Sequence, residues 1–227
     1  MKGTLYIVAT PIGNLEDITF RAVRILGEVD LILCEDTRMT AKLLAKYEIK
    51  KSLKRFDVHS SVSGREAIIA LLREGKSIAL VTDAGTPGIS DPASLLVEEV
   101  RRDLGDEITI VPIPGASAVT AALSASGIPA SAFLFLGFLP HKKGRQTLMK
   151  EIAASERAVV FYESPHRILK ALGELYAVVP ERKVMLAREL TKIYEEYISG
   201  TPKEVEKMLT GDPVKQRGEF VVIVAPR

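Results

Sequence analysis

Four short, nearly continuous apolar runs, LYIVAT, DLILC, KSIALVT and EITIVPI, recur through the first half of the chain, and stretches of helical character separate them. A sheet with one wet face alternates apolar and polar residues. Strands apolar on both faces are covered twice, and strand–helix repetition of this kind indicates a parallel sheet. The intervening helices carry their own marks. Residues 17–26 place Ile18, Ala22, Ile25 and Leu26 on one face, and TAKLLAKY follows the second strand. SGREAIIALLREG opens with Ser63 and Glu66 at capping-box spacing and closes at Gly75. Asp91 and Pro92, as N-cap and first helical residue, open a helix over PASLLVEEVRR.

From residue 114 the pattern changes. PGASAVTAALSASG reads as a small-residue helix, FLFLGF as a strand, and HKKGRQ as a basic loop. RAVVFYE is a strand running into Ser164 and Pro165, a second cap and first-turn proline, ahead of HRILKALGELY. KVMLARE and KIYEEYISG read as strands, TPKEVEKML as a helix capped by Thr201, and EFVVIVA as a closing strand. The expected architecture is α/β in two lobes: residues 1–113 with a mainly parallel sheet and residues 114–227 with a mixed sheet.

Composition excludes several function classes. At 227 residues and 47% hydrophobic content, the chain suits two modest cores. MKGTLYIVAT is too brief for a signal segment, and no run approaches the roughly 18 apolar residues of a membrane helix. A cytoplasmic location with no membrane partner is expected. Cys34, the single cysteine, sits in an apolar run and reads as a buried structural thiol. His59, His141 and His166 are scattered without metal-ligand spacing, so no metal is expected. The net charge of +2 leaves nucleic-acid binding to local patches.

Nearly every unusual cluster lies just after an expected strand: ATPIGN, EDTR, TDAGTPGISD, PIPGASA, YESPHR and RELTK. Ligands of open α/β sheets bind outside the carboxyl ends of strands, so six such clusters are expected to line one crevice. Turn-forming residues also collect in loops for local reasons. Neither a Walker loop nor G-x-G-x-x-G is present, and Gly85 and Gly88 are flanked by Asp83 and Asp91, whose carboxylates repel phosphate. Asp91 is accounted for as a helix cap; Asp83 is not, and it suits a ligand with cationic groups. Glu35 and Asp36 end the second strand beside Arg38, and an internal Asp36–Arg38 ion pair competes with a ligand role. Arg38, Lys42 and Lys46 begin a basic segment, and Lys142, Lys143 and Arg145 form another. Two such patches in a nearly neutral chain are either solvated faces or the footprint of a polyanion.

Together TPIGNLEDI, EDTR, DAGTPGISDP, PGASA, FYESPHR and LARELTK resemble the ribosomal small-subunit RNA 2′-O-ribose methyltransferase branch of the tetrapyrrole (corrin/porphyrin) methylase superfamily, almost end to end. The resemblance implies two α/β lobes with S-adenosylmethionine in a cleft between them, a homodimer, and methylation of a cytidine ribose in small ribosomal subunit RNA. It implies cofactor contacts at Pro11, Asp83, Ala84, Gly85, Gly88, Ser117, Ala118, Glu163 and Leu190. Longer members continue into a small additional domain beyond the closing strand. The present sequence ends at VIVAPR, so RNA binding is expected to rest on the two lobes and the assembled subunit to be the better substrate.

A ribose hydroxyl is a poor nucleophile until its proton is accepted. Asp36, Glu163 and Glu189 are the carboxylates placed to take that role, unless alignment alone suffices. Arg38, Arg167 and Arg188 are placed to position phosphate or ribose. Two alternatives remain at this stage: a tetrapyrrole carbon as methyl acceptor, and a noncatalytic nucleotide- or RNA-binding module.

Overall fold

The computed structural model describes residues 2–57 and 60–227, so His59 lies outside the described residues. The chain divides into two compact units, Met1–Ser117 and Ala118–Arg227.

The first unit contains β1 (Thr4–Val8), α1 (Phe20–Glu28), β2 (Leu31–Cys34), α2 (Thr37–Lys46), β3 (Leu53–Arg55), α3 (Val62–Arg73), β4 (Ser77–Leu80), α4 (Ala93–Leu104) and β5 (Thr109–Ile113). Its sheet has the order β3-β2-β4-β1-β5, and every pairing is parallel. The double burial inferred from the apolar runs is visible residue by residue. Ile78 and Leu80 pack with Leu72 and Leu96 on one face, while Ala79 and Val81 pack with Leu26 and Leu44 on the other. Cys34 lies in the second of these cores, where burial pushes its thiol up from the ordinary value. Strand β3 does not show in the hydrophobic pattern. As an edge strand it needs only partial cover from Leu53, and its remaining residues are Lys54 and Arg55.

Side-chain caps start α1, α2 and α3. Thr19 accepts from the Ala22 N–H and starts α1, so the expected helix over 17–26 begins three residues later. Ser61, not Ser63, caps α3 by accepting from the Gly64 N–H. Asp91 accepts from the Ala93 N–H at 2.8 Å, but α4 begins at Ala93 with Pro92 itself at the cap position and no side-chain cap, one residue later than the expected Asp91 cap and Pro92 start.

The second unit contains α5 (Ala118–Ser126), β6 (Phe133–Phe138), α6 (Arg145–Ala154), β7 (Ala158–Glu163), α7 (Ile168–Val178), β8 (Val184–Arg188), β9 (Glu196–Gly200), α8 (Pro202–Gly211) and β10 (Phe220–Val224). Its sheet runs β6-β7-β10-β8-β9. Only β6 and β7 are parallel; the remaining pairs are antiparallel. The capping box of α8 is complete, with Thr201 and Glu204 bonding each other's backbone N–H. Helix α6 has no clear sequence signature because one of its three buried positions is an arginine, Arg145. After FYES the expected helix start at Pro165 is replaced by a turn, and α7 begins at Ile168.

Candidate functional site

In the first unit the loops that follow β1, β2, β4 and β5 are tied to one another. The connection out of β2 leads toward β3, and that out of β4 leads to β5 at the opposite edge. The carboxyl ends of these neighbouring strands therefore form a topological switch point, the favoured ligand position in such sheets. Asp83 Oδ1 accepts the Asp36 backbone N–H across this point at 3.0 Å, and the Thr82 hydroxyl donates to Glu35. Thr10 and Gly85 form a two-way bridge, Thr10 N–H to Gly85 O at 2.9 Å and Gly85 N–H to Thr10 O at 3.0 Å. The buried Thr10 hydroxyl also donates to Thr82 O at 3.0 Å. Thr86 Oγ1 donates to Ala116 O at 3.0 Å, tying the fourth loop.

Two glycines are dictated by this geometry. Gly85 has φ +86°, a left-handed conformation costly to residues with a Cβ. A Cβ on Gly115 would lie 2.8 Å from that of Ala9, so the end of β5 approaches β1 closely only because Gly115 has no side chain. The backbone N–H groups of Gly85 and Gly88 are consumed within the protein, the second by Asp91 at 2.8 and 2.9 Å. The turn therefore offers a ligand carboxylate acceptors and the exposed Ala84 rather than a nest of donors. Pro11 is buried beside it, and Ser117 is partly exposed.

Asp36 caps α2, accepting from the Arg38 N–H at 2.8 Å and pairing with the Arg38 guanidinium at 2.6 Å. That pair holds its carboxyl well below the usual range. The internal ion pair and the site position coexist, because the Asp36 backbone serves Asp83 while its side chain serves Arg38. Arg38, Lys42 and Lys46 are all exposed and follow one another at four-residue spacing along one face of α2.

A profile of the Tetrapyrrole (Corrin/Porphyrin) Methylases matches residues 4–206. The chain belongs to this family. Among its relatives, the ribosomal RNA small subunit methyltransferase I of Thermotoga maritima is 48% identical, with 98% of each chain covered. That of Halalkalibacterium halodurans is 46% identical over 98% of this chain and 76% of the relative. Solved structures share the fold at lower identity. A diphthine synthase superposes with TM-score 0.73 at 16% identity, covering 98% of this chain and 90% of the other. A Thermus thermophilus uroporphyrin-III C-methyl transferase, complexed with S-adenyl homocysteine, superposes with TM-score 0.65 at 18% identity, covering 98% and 97%.

The family motifs of the second unit behave differently from their sequence reading. Glu163, at the end of β7, is 1% exposed. Its Oε1 accepts the Ser164 N–H at 2.8 Å and pairs with Arg167 Nε at 2.9 Å, while Oε2 takes Arg167 Nη2 at 3.0 Å and both Arg145 Nη atoms at 3.5 Å. Buried and with both oxygens engaged by Arg145, Arg167 and the Ser164 N–H, this carboxylate has no free oxygen to offer a ribose hydroxyl, which corrects its assignment as a candidate base. Arg145, Arg167 and Arg188 are likewise corrected as RNA contacts. Arg145 is 3% exposed and also pairs with Glu174 at 2.7 Å. Arg167 donates to Leu139 O and Glu163. Arg188 spends its guanidinium on the carbonyls of Arg217, Tyr194 and Val214. By contrast Lys142 and Lys143 are exposed.

The RELTK motif carries backbone strain. Glu189 and Thr191 hold φ +51° and +65° on either side of the buried Leu190. Strain of this kind collects at ligand sites. The Thr191 hydroxyl is buried without a hydrogen-bond partner, an unsatisfied group that a ligand polar atom would complete. Burial opposes ionisation of Glu189, but bonds from Lys192 and the Glu219 N–H outweigh it and hold its pKa down. Sequence reasoning did not single out Thr10, Thr82 or Thr191. The first two had a signal, since both LYIVAT and KSIALVT end in threonine. Among the described residues no group of His, Cys, Asp or Glu is arranged to hold a metal, and no helix is long and apolar enough to cross a membrane.

Proposed function

We propose that the chain transfers a methyl group from S-adenosylmethionine to the 2′-hydroxyl of a cytidine ribose in small-subunit ribosomal RNA. The observation that carries this reading is the near-complete, 48% identical match to a ribosomal RNA small subunit methyltransferase I. The ribose 2′-hydroxyl and the cytidine rest on the six motifs quoted above. The residues present suit the cofactor. Asp83 offers carboxylate oxygen to a cationic group, and Ala84 stands exposed beside it. Pro11, Gly88, Ser117, Ala118 and Leu190 remain proposed contacts, and Glu163 is proposed to contribute only through its backbone.

When bound, S-adenosylmethionine supplies a methyl electrophile on a sulfonium. The chain's own groups then align the hydroxyl and exclude competing orientations. Asp36 and Glu189 are both held in forms that accept a proton weakly. Alignment is accordingly the larger contribution, with Asp36, the acid at the switch point, as the residual proton acceptor. Arg38, Lys42, Lys46, Lys142 and Lys143 are proposed to meet RNA phosphates. The same reading has the chain act in the cytoplasm as a homodimer on assembled small subunits.

The test is incubation of undermethylated small subunits with the chain and methyl-labelled S-adenosylmethionine, followed by nuclease mapping. Label confined to one RNA ribose is expected. Label on a tetrapyrrole and none on RNA overturns the reading, and the absence of saturable cofactor binding by calorimetry supports a noncatalytic module instead.

A further inference from the structure

We propose that Phe138 is a stacking platform for a nucleobase of the RNA substrate, with Lys142 and Lys143 holding the adjoining phosphates of an unpaired stretch. The inference rests on the RNA reading given above and extends it to a residue and a strand conformation. Phe138 ends the edge strand β6 with 59% of its surface exposed. Its orientation is built rather than incidental. In a regular strand Phe135 and Phe138 would point to opposite faces. The β6–β7 register shifts between them, and Gly137 in that shift holds φ +61°. As a result Phe135 pairs with Val160 and Phe138 with Tyr162, two residues apart on β7, so both phenylalanines share one face.

The platform is braced from behind. The Tyr162 ring lies 5.2 Å from that of Phe138 and 5.1 Å from that of Phe135. Its hydroxyl bonds the Val119 backbone at the start of α5, and burial pushes its pKa up. Immediately beyond Phe138 the chain is fixed on the opposite face: Leu139 is buried, its carbonyl takes the Arg167 guanidinium, and the Pro140 carbonyl takes Arg145 at 3.2 Å. The buried arginines therefore set the geometry of the loop that displays Lys142 and Lys143. Lys142 lies four positions beyond Phe138, a Cα reach of at most about 14 Å. The whole segment from Phe133 to Gln146 contains no carboxylate that would repel phosphate.

An exposed aromatic ring on a sheet edge beside a basic loop is the chemistry that recognises splayed bases of single-stranded RNA; paired RNA hides the faces on which stacking depends. The experiment uses a short unpaired oligoribonucleotide carrying 2-aminopurine, whose fluorescence falls on stacking. Phe138→Ala is expected to weaken binding about 5- to 150-fold and to remove the quench, with the salt dependence unchanged. Phe138→Trp restores both. The Lys142→Ala, Lys143→Ala double variant keeps the quench and reduces the slope of log affinity against log salt by about 1.4. Cofactor affinity by calorimetry stays at the wild-type value throughout. If wild-type chain methylates small subunits while Phe138→Ala binds and quenches like wild type, this inference alone falls. If wild-type chain binds cofactor but methylates no RNA, the functional reading falls and takes this one with it. Loss of affinity accompanied by dissociation in sedimentation velocity assigns Phe138 to a contact between copies and also overturns the proposal.

Discussion

Replacing Glu163 with glutamine separates a buried structural charge from a catalytic one. The substitution preserves shape and leaves an amide oxygen for the Ser164 N–H, but it removes the charge between Arg167 at 2.9 Å and Arg145 at 3.5 Å. Removing one partner of a buried pair costs about 3–5 kcal/mol, because the other charge stays buried. Arg145 keeps Glu174 at 2.7 Å and the Pro140 carbonyl, so the lower end, about 3 kcal/mol, is expected here. With a urea dependence of about 2 kcal/mol per molar, the midpoint of the transition reporting the second unit falls by about 1.5 M. Far-ultraviolet circular dichroism during urea titration measures it. Arg38→Ala, which removes an ion pair whose guanidinium is 85% exposed, should leave the midpoint in place. An unchanged midpoint for Glu163→Gln, with single-turnover methylation lost, would show the carboxylate acting on substrate and refute the structural assignment.

Asp83→Asn keeps the acceptor for the Asp36 N–H but loses the charge. Since hydrogen bonds to charged groups contribute about 1.5–3 kcal/mol, calorimetry should show cofactor affinity reduced about 10- to 150-fold, with stability lowered by no more than about 1 kcal/mol as the bond from the Asp36 N–H becomes a neutral one; equal affinity would remove Asp83 from the binding role. Thr10→Val deletes the bond to Thr82 O and should cost about 1 kcal/mol in denaturant titration. Thr10→Ser should recover it, and failure to do so would locate the loss in packing instead. The folded pKa of Glu189 lies below its unfolded value, so its contribution is complete above an unfolded pKa of about 4.3 and disappears as pH falls through the folded value. Glu189→Gln should therefore flatten the acid limb of stability against pH, and a limb as steep as wild type would show that other carboxylates set it.

What could be read from the sequence follows burial. β1, β2 and β4 are legible because a strand covered on both faces is largely apolar, and β5, although at an edge, still packs Ile110 and Val111 against the two cores. β3 is not, because Lys54 and Arg55 are tolerated at an edge. Asp83 stood out at the end of an apolar run, and its bond to the Asp36 backbone now gives it a neighbour 47 residues away. The glycine turn was legible as a turn, but not that Thr10 and Asp91 use up its donors. The arginines were the hardest to read. Whether Arg145 faces solvent or a buried carboxylate depends on Glu163 and Glu174, 18 and 29 positions along the chain, and no local pattern records that distance. Ser63 was read as the cap from its capping-box spacing to Glu66, whereas the hydroxyl that accepts from the Gly64 N–H is that of Ser61.

Pro112 sits within β5, opposite Ile7 at the free edge of the first sheet. The Ala9 N–H reaches the Ile113 carbonyl, so Ile113 faces β1 and Pro112, one residue earlier, faces outward. A proline there presents no N–H to an approaching strand. Growth of this sheet by a foreign or identical segment is thus blocked at its outer rung. Two copies of the chain associating at this edge must meet through side chains rather than by extending the ladder. The protection is intrinsic to the backbone and persists at salt concentrations that would screen a guard made of charged side chains.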